Sequence, residues 1–330
     1  MYYSDKTETL RAVFGAHDVS IETHRAIVDG RVFPIVNDVI ICLDESQWPP
    51  ALRTSLGVKS REPVQEGFAE DIQYTFGQEW KTFPSVRPEH EPSFRAYFDL
   101  IDLRELAEAR LCDLGCGMGR WSYFASSYCR EIILVDFSDA IFIARENLRD
   151  RPNALFFMAD VSHLPFAKDF ADLIFCLGVL HHLPTPALQE VVALRDYAKQ
   201  LLVYLYYAVD SQPVYFQVLL ALVTPVRLLL ARIRSERVRY ALAATITLFV
   251  YQPLIGLGAL LRRLGLQTPV PLYEGYHGKS FQIVLQDAYD RFFTRIEQRV
   301  SRKDVLALDR HFSRVTVSEK LPYWHFLCVR

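Results

Sequence analysis

The sequence predicts an α/β fold built on one seven-stranded sheet, in which five parallel strands are followed by a closing antiparallel hairpin. First, short apolar runs alternate with helical patterns from about residue 94 to residue 207. Second, a glycine-rich turn at residues 113–119 separates the first of these runs from a helix. Third, residues 314–318 and 324–329 have the pattern of two strands. A small N-terminal β appendage and an α-helical insertion after the fifth strand complete the prediction.

The predicted strands and helices alternate along the chain. We expect the five parallel strands at 110–114, 131–136, 154–158, 171–177 and 200–206, with helices at about 94–109, from 120, at 138–149 and at 186–199. Right-handed crossovers then fix the winding of the sheet. A helix near 302–312 precedes the hairpin. A dinucleotide-binding domain would continue with parallel strands instead of a hairpin.

Composition narrows the class of protein. The 330 residues are 51% hydrophobic and carry a net charge of −2, so no basic excess favours a nucleic-acid partner. The six cysteines form no C-x-x-C pair, which predicts reduced thiols, no metal site and a cytoplasmic protein. The polar first ten residues lack the apolar core of a signal peptide.

The turn at residues 113–119 is the strongest candidate for a ligand site. It reads DLGCGMG between a predicted strand and a predicted helix. Glycines let the backbone approach a ligand closely, and ligands of such sheets lie beyond the carboxyl ends of the strands. A dinucleotide fingerprint requires G-x-G-x-x-G, whereas Arg120 stands where the third glycine would fall. The spacing therefore predicts a nucleotide site and weakens a nicotinamide interpretation.

Two acids follow the next two predicted strands. Asp136 ends the strand 131–136, where a carboxylate can accept hydrogen bonds from both ribose hydroxyls. A lone acid at a strand end is otherwise commonly a helix cap, and the glycine turn upstream favours ribose binding. Asp160 follows the strand 154–158 and can accept a hydrogen bond from an adenine amino group, with Val161 packed on the ring.

Together these segments resemble the class I S-adenosylmethionine-dependent methyltransferase family, whose fold is Rossmann-like. Four motifs carry the resemblance: LCDLGCGMGRW at 111–121, VDFS at 135–138, ADVSHLPF at 159–166 and DLIFCLGVLHHL at 172–183. The resemblance implies S-adenosylmethionine as the cofactor. It also implies cofactor-binding roles for Asp113, Gly115, Cys116, Gly117, Gly119, Asp136, Phe137, Asp160, Val161 and Leu177.

Residues 1–60 are expected to form a small accessory β unit. Residues 26–41 predict two short strands around the turn Asp29-Gly30. This hairpin resembles the last hairpin of the small zinc-ribbon-like domains found beside some bacterial methyltransferases. The cysteine pairs of those domains are missing here, so the resemblance implies a degenerate unit that has lost its metal.

Residues 61–93 predict a linker rich in proline, glutamate and aromatic residues. Its segment 74–83 contains Tyr74 and Trp80, and two interpretations remain open for it. It is either a packing arm or a lid that covers the cofactor or the substrate, because aromatic side chains supply a large apolar contact area. On the second interpretation, Tyr74 and Trp80 contact the substrate.

His181 and His182 follow the fourth strand, where acceptor and cofactor should meet. Histidine titrates near neutral pH, and a general base adds roughly 10²–10⁴-fold to a rate. Adjacent side chains point different ways, so we expect one base at most, and a packing role for both remains open. Tyr206 and Tyr207 after the fifth strand, and His277 beyond the insertion, are further candidates for contact with the acceptor.

Residues 208–300 form an apolar insertion, ahead of a C-terminal unit at 301–330. Segments 213–225 and 240–261 contain no charged residue, while seven arginines against two acids lie within 208–265. Three interpretations remain open: a transmembrane span interrupted by Pro253 and glycines, helices on an anionic membrane surface, or a buried cap over the acceptor pocket. The polar-aromatic stretch 287–292 is expected to line that pocket.

The sequence thus predicts a cytoplasmic methyltransferase that acts on the O, N or C atom of a small or amphiphilic acceptor. A peripheral membrane contact through 213–263, with a lipid-like substrate, is an open option. So is a non-methylating enzyme that binds the same nucleoside, such as an aminopropyl transferase, which would require further carboxylates. A cofactor-binding regulatory protein and, more distantly, a nicotinamide oxidoreductase complete the alternatives.

Overall fold

Eleven strands form one sheet across the part of the chain that the computed structural model describes, residues 2–58, 77–320 and 324–330. The strands are β1 Val19–Glu22, β2 Arg25–Val28, β3 Arg31–Val36, β4 Val39–Ile41, β5 Arg110–Leu114, β6 Glu131–Asp136, β7 Ala154–Met158, β8 Ala171–Leu177, β9 Ala198–Tyr204, β10 Arg314–Val317 and β11 Phe326–Val329. Their order across the sheet is β1-β2-β3-β4-β7-β6-β5-β8-β9-β11-β10.

Helices cover the sheet and build the insertion. They are α1 Thr7–Phe14, α2 Pro50–Ser55, α3 His90–Tyr97, α4 Arg120–Ala125, α5 Ala140–Asn147, α6 Ala187–Leu194, α7 Val214–Leu230, α8 Glu236–Ile246, α9 Gln252–Arg263, α10 Tyr273–Tyr276, α11 Phe281–Phe293 and α12 Arg302–Leu306. Residues 77–82 are also helical.

The predicted parallel core and its closing hairpin are confirmed. Strands β7, β6, β5, β8 and β9 pair in parallel, and β11 pairs antiparallel with both β9 and β10. The glycine turn after β5 therefore lies at the carboxyl edge of the sheet, beside the ends of β6 and β8. The predicted number of seven strands is wrong, because four N-terminal strands extend the same sheet.

The N-terminal segment belongs to this sheet. β2 and β3 form the predicted hairpin around Asp29 and Gly30, whose φ angles of 46° and 82° suit a two-residue turn between strands. After a second tight turn, β4 pairs in parallel with β7 through Ile40 and Ile41, which are 0% and 1% exposed. A strand that is apolar on both faces is stabilised inside a sheet. The zinc-ribbon-like resemblance gains no support, and the described residues hold no metal-ligand cluster.

The boundaries of several elements differ from those expected. The helix predicted at 94–109 is α3, followed by a separate turn at Leu103–Leu106, because the Asp102 side chain accepts a hydrogen bond from the Arg104 amide and starts that turn. The helix predicted at 302–312 is α12 plus one tighter turn. β9 begins at Ala198, which pairs with Ala171, and it ends at residue 204. Tyr206 therefore lies beyond the strand.

The insertion packs two long helices against α11. α8, the turn Thr247–Tyr251 and α9 form one continuous helix, Glu236–Arg263, of 28 residues. It is long and apolar enough to cross a membrane, with 17% of its most apolar window buried. Its inner side packs with α11 through Ala243, Leu285 and Phe293. The inner side of the insertion is therefore packed, whereas its outer apolar side chains are exposed.

Candidate functional site

A cavity of about 1030 Å³ opens at the carboxyl edge of the parallel strands. It begins at Gly115 after β5, passes Asp136 and Leu177 at the ends of β6 and β8, and reaches Asp287 on α11. Ligand pockets usually measure roughly 300–1,000 Å³. The cavity therefore has room for a nucleoside-sized cofactor together with an acceptor, and its wall comes from both the sheet and the insertion.

The glycine turn brings backbone to this cavity. Gly115 and Gly117 have φ angles of 75° and 54°, a region that L side chains rarely adopt. A Cβ on Gly115 would lie 2.4 Å from Cγ2 of Val179, and one on Gly117 would lie 2.6 Å from the Trp80 ring. The turn can follow this path only with glycine, and its backbone at Gly115 faces the space where a ligand would lie.

Asp113 supports the turn from behind and does not line the cavity. Its Oδ2 accepts a hydrogen bond from Ser122 Oγ on α4 at 2.6 Å, and its side chain is buried. Burial raises the pKa of Asp113 to about 7, although the bond from Ser122 opposes this shift. Cys116, Gly117 and Gly119 also lie outside the cavity wall. These four residues, which were expected at the cofactor, shape the turn that presents Gly115.

Asp136 lines the cavity at the end of β6, at the position predicted for the ribose acid. Its Oδ2 accepts a hydrogen bond from the Gly117 amide at 2.8 Å, and its Oδ1 accepts two from Ser138 at 2.8 and 2.7 Å. Because each carboxylate oxygen has two lone pairs, Oδ2 keeps the capacity to accept from a ribose hydroxyl. Burial raises the pKa of Asp136, and the three donors oppose that shift.

The predicted adenine end gains a wall that sequence reasoning missed. The segment directly after β4 lines the cavity at the same end as Asp160 and Val161, through Cys42, Leu43, Asp44, Ser46 and Gln47. Gln47 Nε2 donates to Asp160 Oδ2 at 3.3 Å, and the Ser162 amide donates to Asp160 Oδ1 at 2.9 Å. The available signal was the uninterrupted apolar run at 39–43, which is typical of a buried strand.

The described part of the aromatic segment 74–83, here called the arm, covers the glycine turn. Trp80, in the helical turn 77–82, lines the cavity and lies against Gly117. The Arg120 guanidinium lies 5.2 Å from the centroid of the Trp80 ring. This placement favours the lid interpretation over that of a distant packing arm. Tyr74, the other predicted substrate contact of the arm, lies outside the described residues.

Helix α11 supplies the polar wall of the cavity, as the stretch 287–292 predicts. Gln286, Asp287, Asp290 and Arg291 line the cavity, together with Glu79 of the arm. Gln286 Nε2 donates to Glu79 Oε1 at 3.3 Å. Burial, reinforced by the charge of Asp290, raises the pKa of Glu79 well above its usual range. Sequence reasoning missed Glu79, because an isolated acid in a linker has no spacing signal.

Tyrosine hydroxyls hold the two aspartates of this wall. Tyr276 Oη donates to Asp287 Oδ2 at 2.8 Å, and Tyr206 Oη donates to Asp290 Oδ2 at 2.9 Å. The Arg291 guanidinium lies 5.1 Å from the Tyr206 ring, and its buried Nε has no hydrogen-bond acceptor within the described residues. The wall therefore presents two kinds of group to a methyl acceptor. These are the carboxylate oxygens of Asp287 and Asp290, and the guanidinium of Arg291 as a donor.

The two candidate histidines have different surroundings. His182 lines the cavity, and its Nδ1 lies 2.7 Å from the Ile296 carbonyl oxygen. This contact assigns the proton to Nδ1 and the lone pair to Nε2. His181 is 0% exposed, with its ring 4.0 Å from that of Tyr206, and it does not line the cavity. Burial lowers the pKa of His181 well below its usual range. The prediction of a general base therefore narrows to His182.

Of the three further acceptor candidates, Tyr206 lines the cavity, whereas Tyr207 and His277 do not. Consecutive side chains of an extended chain point to opposite sides, and the Tyr207 ring packs instead on Trp324 at 4.9 Å between centroids. His277 is exposed on the insertion, where its ring stacks on Tyr273 at 4.8 Å. The structure does not bring these two residues to the cavity.

Apolar and aromatic groups complete the wall. Phe137 and Leu177 line the cavity, as the resemblance implies. Tyr97 of α3 and Tyr204 of β9 also line it, with ring centroids 5.2 Å apart. Sequence reasoning missed both tyrosines, because in a helix and a strand they follow the ordinary pattern of core residues.

In a comparison with known protein families, residues 111–196 match a family described as a methyltransferase domain. This range includes all four motifs and the strands β5 to β8, whereas the N-terminal strands and the insertion lie outside it. The cofactor of this domain is S-adenosylmethionine, in agreement with the positions of Gly115 and Asp136 in the cavity. No curated protein matches the chain.

Several solved structures are similar to part of the chain. Phosphoethanolamine N-methyltransferase 1 of Haemonchus contortus, solved with phosphoethanolamine and S-adenosylhomocysteine, is 16% identical over 44% of this chain and 34% of its own, with a TM-score of 0.36. A SAM-dependent methyltransferase of Aquifex aeolicus is 17% identical over 44% of this chain and 86% of its own (TM-score 0.34). One from Mesorhizobium loti is 19% identical over 34% and 51% (TM-score 0.29). The chain thus spans a third to a half of two of these proteins.

Proposed function

We propose that the methyltransferase domain of residues 111–196 transfers the methyl group of S-adenosylmethionine to a small or amphiphilic acceptor. The supporting observation is the cavity that runs from Gly115 and Asp136 to the polar wall of α11. One end carries the glycine backbone and acids expected at the cofactor. The other end carries tyrosines, carboxylates and Arg291, which are suited to an acceptor with polar groups.

The cofactor end fits an adenosyl group. Asp136 would accept from the ribose hydroxyls, and Asp160 would accept from the adenine amino group. Val161 and Leu177 supply apolar contacts, and the backbone at Gly115 would meet the methionine part. When bound, the cofactor supplies an electrophilic methyl group on a sulfonium. The residues of the chain contribute mainly position and orientation, which are major sources of rate in such transfers.

His182 is the proposed base. Its Nδ1 is held by the Ile296 carbonyl, so Nε2 would take up the proton that an acceptor hydroxyl or ammonium loses as its lone pair attacks the methyl carbon. A base positioned in this way contributes roughly 10²–10⁴-fold to the rate.

Calorimetry tests the cofactor. The wild-type protein should bind S-adenosylmethionine and S-adenosylhomocysteine but not NAD. Asp136→Ala should weaken both interactions by at least about tenfold, because it removes hydrogen bonds to a charged acceptor. Asp150→Asn, a change at a carboxylate that is 91% exposed, is the control. Unchanged affinity in Asp136→Ala, or binding of NAD, would contradict the assignment.

Mass spectrometry tests the acceptor and the base. Extract of the host cell is incubated with S-adenosylmethionine that carries an isotope-labelled methyl group, and products that gain the label are identified. With the acceptor in hand, His182→Gln should lower kcat about a hundredfold or more while the KM for S-adenosylmethionine stays constant. Tyr207→Phe, outside the cavity, should leave both constants unchanged. An unaltered kcat in His182→Gln would refute the base.

The carboxylates of the acceptor end favour a second candidate, aminopropyl transfer to a polyamine. Glu79, Asp287 and Asp290 supply the additional acids that such a reaction requires to hold a polycation, although Arg291 and Arg120 line the same cavity. Decarboxylated S-adenosylmethionine with a diamine is the decisive substrate pair. Turnover of this pair without methyl transfer would replace the first proposal. Methyl transfer without aminopropyl transfer would exclude the second.

A further inference from the structure

Helix α7 carries an exposed apolar stripe. Val214, Val218, Leu222, Val226 and Leu229 are 72%, 52%, 66%, 51% and 63% exposed. Their spacing of three or four residues places them on one side of the helix. The opposite side of α7 faces α11, where the buried Arg227 donates from Nη1 to the Thr294 carbonyl at 2.6 Å. The stripe is thus the outer side of a docked helix.

The helix Glu236–Arg263 repeats this arrangement. Val238, Phe249 and Leu260 are 44%, 71% and 53% exposed. They recur every eleven residues, which is close to three helical turns and keeps them on one side. Apart from Val32, every exposed large apolar residue of the described chain lies between residues 214 and 281. We call the exposed apolar side chains of α7 and of this long helix the outer face.

The two helices are consecutive in the chain, and both contact α11. A short link at 231–235 joins the end of α7 to the start of the long helix. At the other end, Tyr215 Oη donates to the carbonyl of Pro269, just beyond α9. Both apolar stripes therefore lie on helices that the link joins at one end and that the Tyr215 bond ties to the segment after α9 at the other.

Cationic side chains flank this surface at both ends. Arg232, Arg234 and Arg237 lie on the link and the first turn of the long helix, and Arg262 and Arg263 lie on its last turn, all exposed. Of these, Arg262 forms an ion pair with Glu274. Glu236 is the one acid within residues 213–263. Apolar side chains between exposed arginines are the composition of a helix that lies on an anionic bilayer, where each arginine near the surface adds to the attraction.

We infer that the outer face docks the protein on the surface of an anionic lipid bilayer. The apolar stripes would enter the boundary between headgroups and acyl chains, and the flanking arginines would contact the lipid phosphates. A second copy of the chain is a poorer occupant. A twofold contact would bring the same excess of positive charge against itself, and like charges oppose each other across an interface.

Lateral packing favours docking over spanning. Both long helices lie along α11, whose other side carries Gln286, Asp287 and Asp290 into the cavity. The buried Arg227 and Arg239 lie on these helices and donate to the carbonyls of Thr294 and Ile233. A spanning long helix would draw these polar groups into hydrocarbon, where each costs several kcal/mol. Docking by the outer face leaves them where they are.

Vesicle flotation tests this inference on the full chain. Vesicles of phosphatidylcholine alone and of phosphatidylcholine with phosphatidylglycerol are the probes. The wild-type protein should float with the anionic vesicles at least about tenfold more strongly than with neutral ones, and added salt should weaken this binding. Arg232→Glu with Arg237→Glu should abolish the preference for anionic vesicles.

The apolar contribution is tested by Leu222→Glu with Phe249→Glu, which replace two of the most exposed side chains of the outer face. Affinity for anionic vesicles should fall at least about tenfold. Val32→Glu, at a position that is 53% exposed on β3, is the matched control and should bind as the wild type does. Calorimetry with S-adenosylmethionine verifies that each variant retains its fold and cofactor site.

The outcomes separate the alternatives. Flotation that depends on anionic lipid and on Leu222 and Phe249 supports the proposal. No flotation of the folded wild-type protein overturns it, as does flotation that the double variant leaves unchanged. The proposal also fails if the wild-type protein is a dimer that Leu222→Glu dissociates while vesicle binding persists, since a second copy would then cover the outer face. These results are independent of whether methyl transfer is observed.

Discussion

Large apolar side chains are buried in the sheet, whereas many of those in the insertion are exposed. Phe156, Phe157 and Phe175 in β7 and β8 are 0% exposed, whereas Val214 and Leu222 on α7 are 72% and 66% exposed. Burial of apolar surface stabilises by roughly 25 cal/mol per Å², so the strands hold the fold together and the outer face contributes little. The comparison teaches that the hydrophobicity of a segment does not decide its role. The decisive property is whether the protein itself supplies the apolar partner.

The two regions also differ in their buried charges. In the sheet, Asp113 and Asp136 are buried acids whose pKa values burial raises. In the insertion, Arg227 and Arg239 are buried cations that donate to main-chain carbonyls. An acid can become neutral when burial disfavours its charge, but an arginine cannot. The stability of the sheet should therefore respond to pH through these acids, whereas the hydrogen bonds that the two arginines donate should not.

The largest expected effect is a pair of truncations. Phe175→Ala should lower the free energy of unfolding by about 3–5 kcal/mol, because it leaves a cavity on the face of the sheet where the Phe175 ring packs on Phe98. Leu222→Ala should change it by less than about 0.5 kcal/mol, since that side chain already contacts solvent. Urea unfolding measures both. A large loss in Leu222→Ala would mean that the outer face is packed in solution, and the comparison would fail.

A pH series on Asp113 tests the buried acids. The folded pKa of about 7 lies above the usual value of 3.8, so the protonated acid stabilises the fold below about pH 4, and this contribution is lost as pH rises through about 7. Asp113→Asn does not titrate. Its free energy of unfolding relative to the wild type should rise over this window by up to about 4 kcal/mol.

The control for this series is Asp150→Asn, because the Asp150 carboxylate is 91% exposed. Its difference from the wild type should stay constant with pH. Unfolding midpoints in urea at several pH values supply the data. A constant difference for Asp113→Asn would show that this carboxyl is not the titrating group.

Two glycine substitutions, one after a strand of the sheet and one in the insertion, test the comparison further. Gly115→Ala should lower the free energy of unfolding by about 2–3 kcal/mol, because the φ of 75° is strained for alanine and the new Cβ would overlap Val179. It should also weaken S-adenosylmethionine binding. Gly256→Ala on α9 should raise stability by about 0.5–1 kcal/mol, because nothing lies within 4 Å of the new Cβ. Thermal unfolding with and without S-adenosylmethionine distinguishes these two effects.

The same contrast explains how far sequence reasoning could go. The parallel strands were predictable, because a strand buried on both faces reads as an unbroken apolar run. The pairing of Ile40 with Phe157 was not, because it joins residues that are distant in the chain and carries no local pattern. The outer face produces the same apolar pattern as a core helix, so the sequence left cap, surface helix and span open together.

The site divides in a similar way. Gly115, Asp136 and Asp160 were predictable, because each follows a strand that ends at the carboxyl edge of the sheet. The difference between His181 and His182 was not, since the turn Leu180–His182 decides which ring faces the cavity. Glu79 and Arg291 reach the cavity through the packing of the arm and α11, and their positions depend on contacts between distant segments.

The smallest expected effect concerns the attachment of the insertion. Arg227→Met removes the hydrogen bond to the Thr294 carbonyl and the ion pair with Glu297 at 3.7 Å. It keeps most of the apolar stem, and Glu297 retains Arg299 at 2.6 Å. The free energy of unfolding should fall by about 1–2 kcal/mol, by the same amount at every pH from mildly acidic to neutral.

Hydrogen exchange should accelerate in α7 and remain slow in β8. Arg232→Met, at an exposed position, should change neither quantity. If exchange accelerated equally in β8, the insertion would be part of the cooperative core, and the distinction between a self-sufficient sheet and an insertion with one unpartnered side would have to be abandoned.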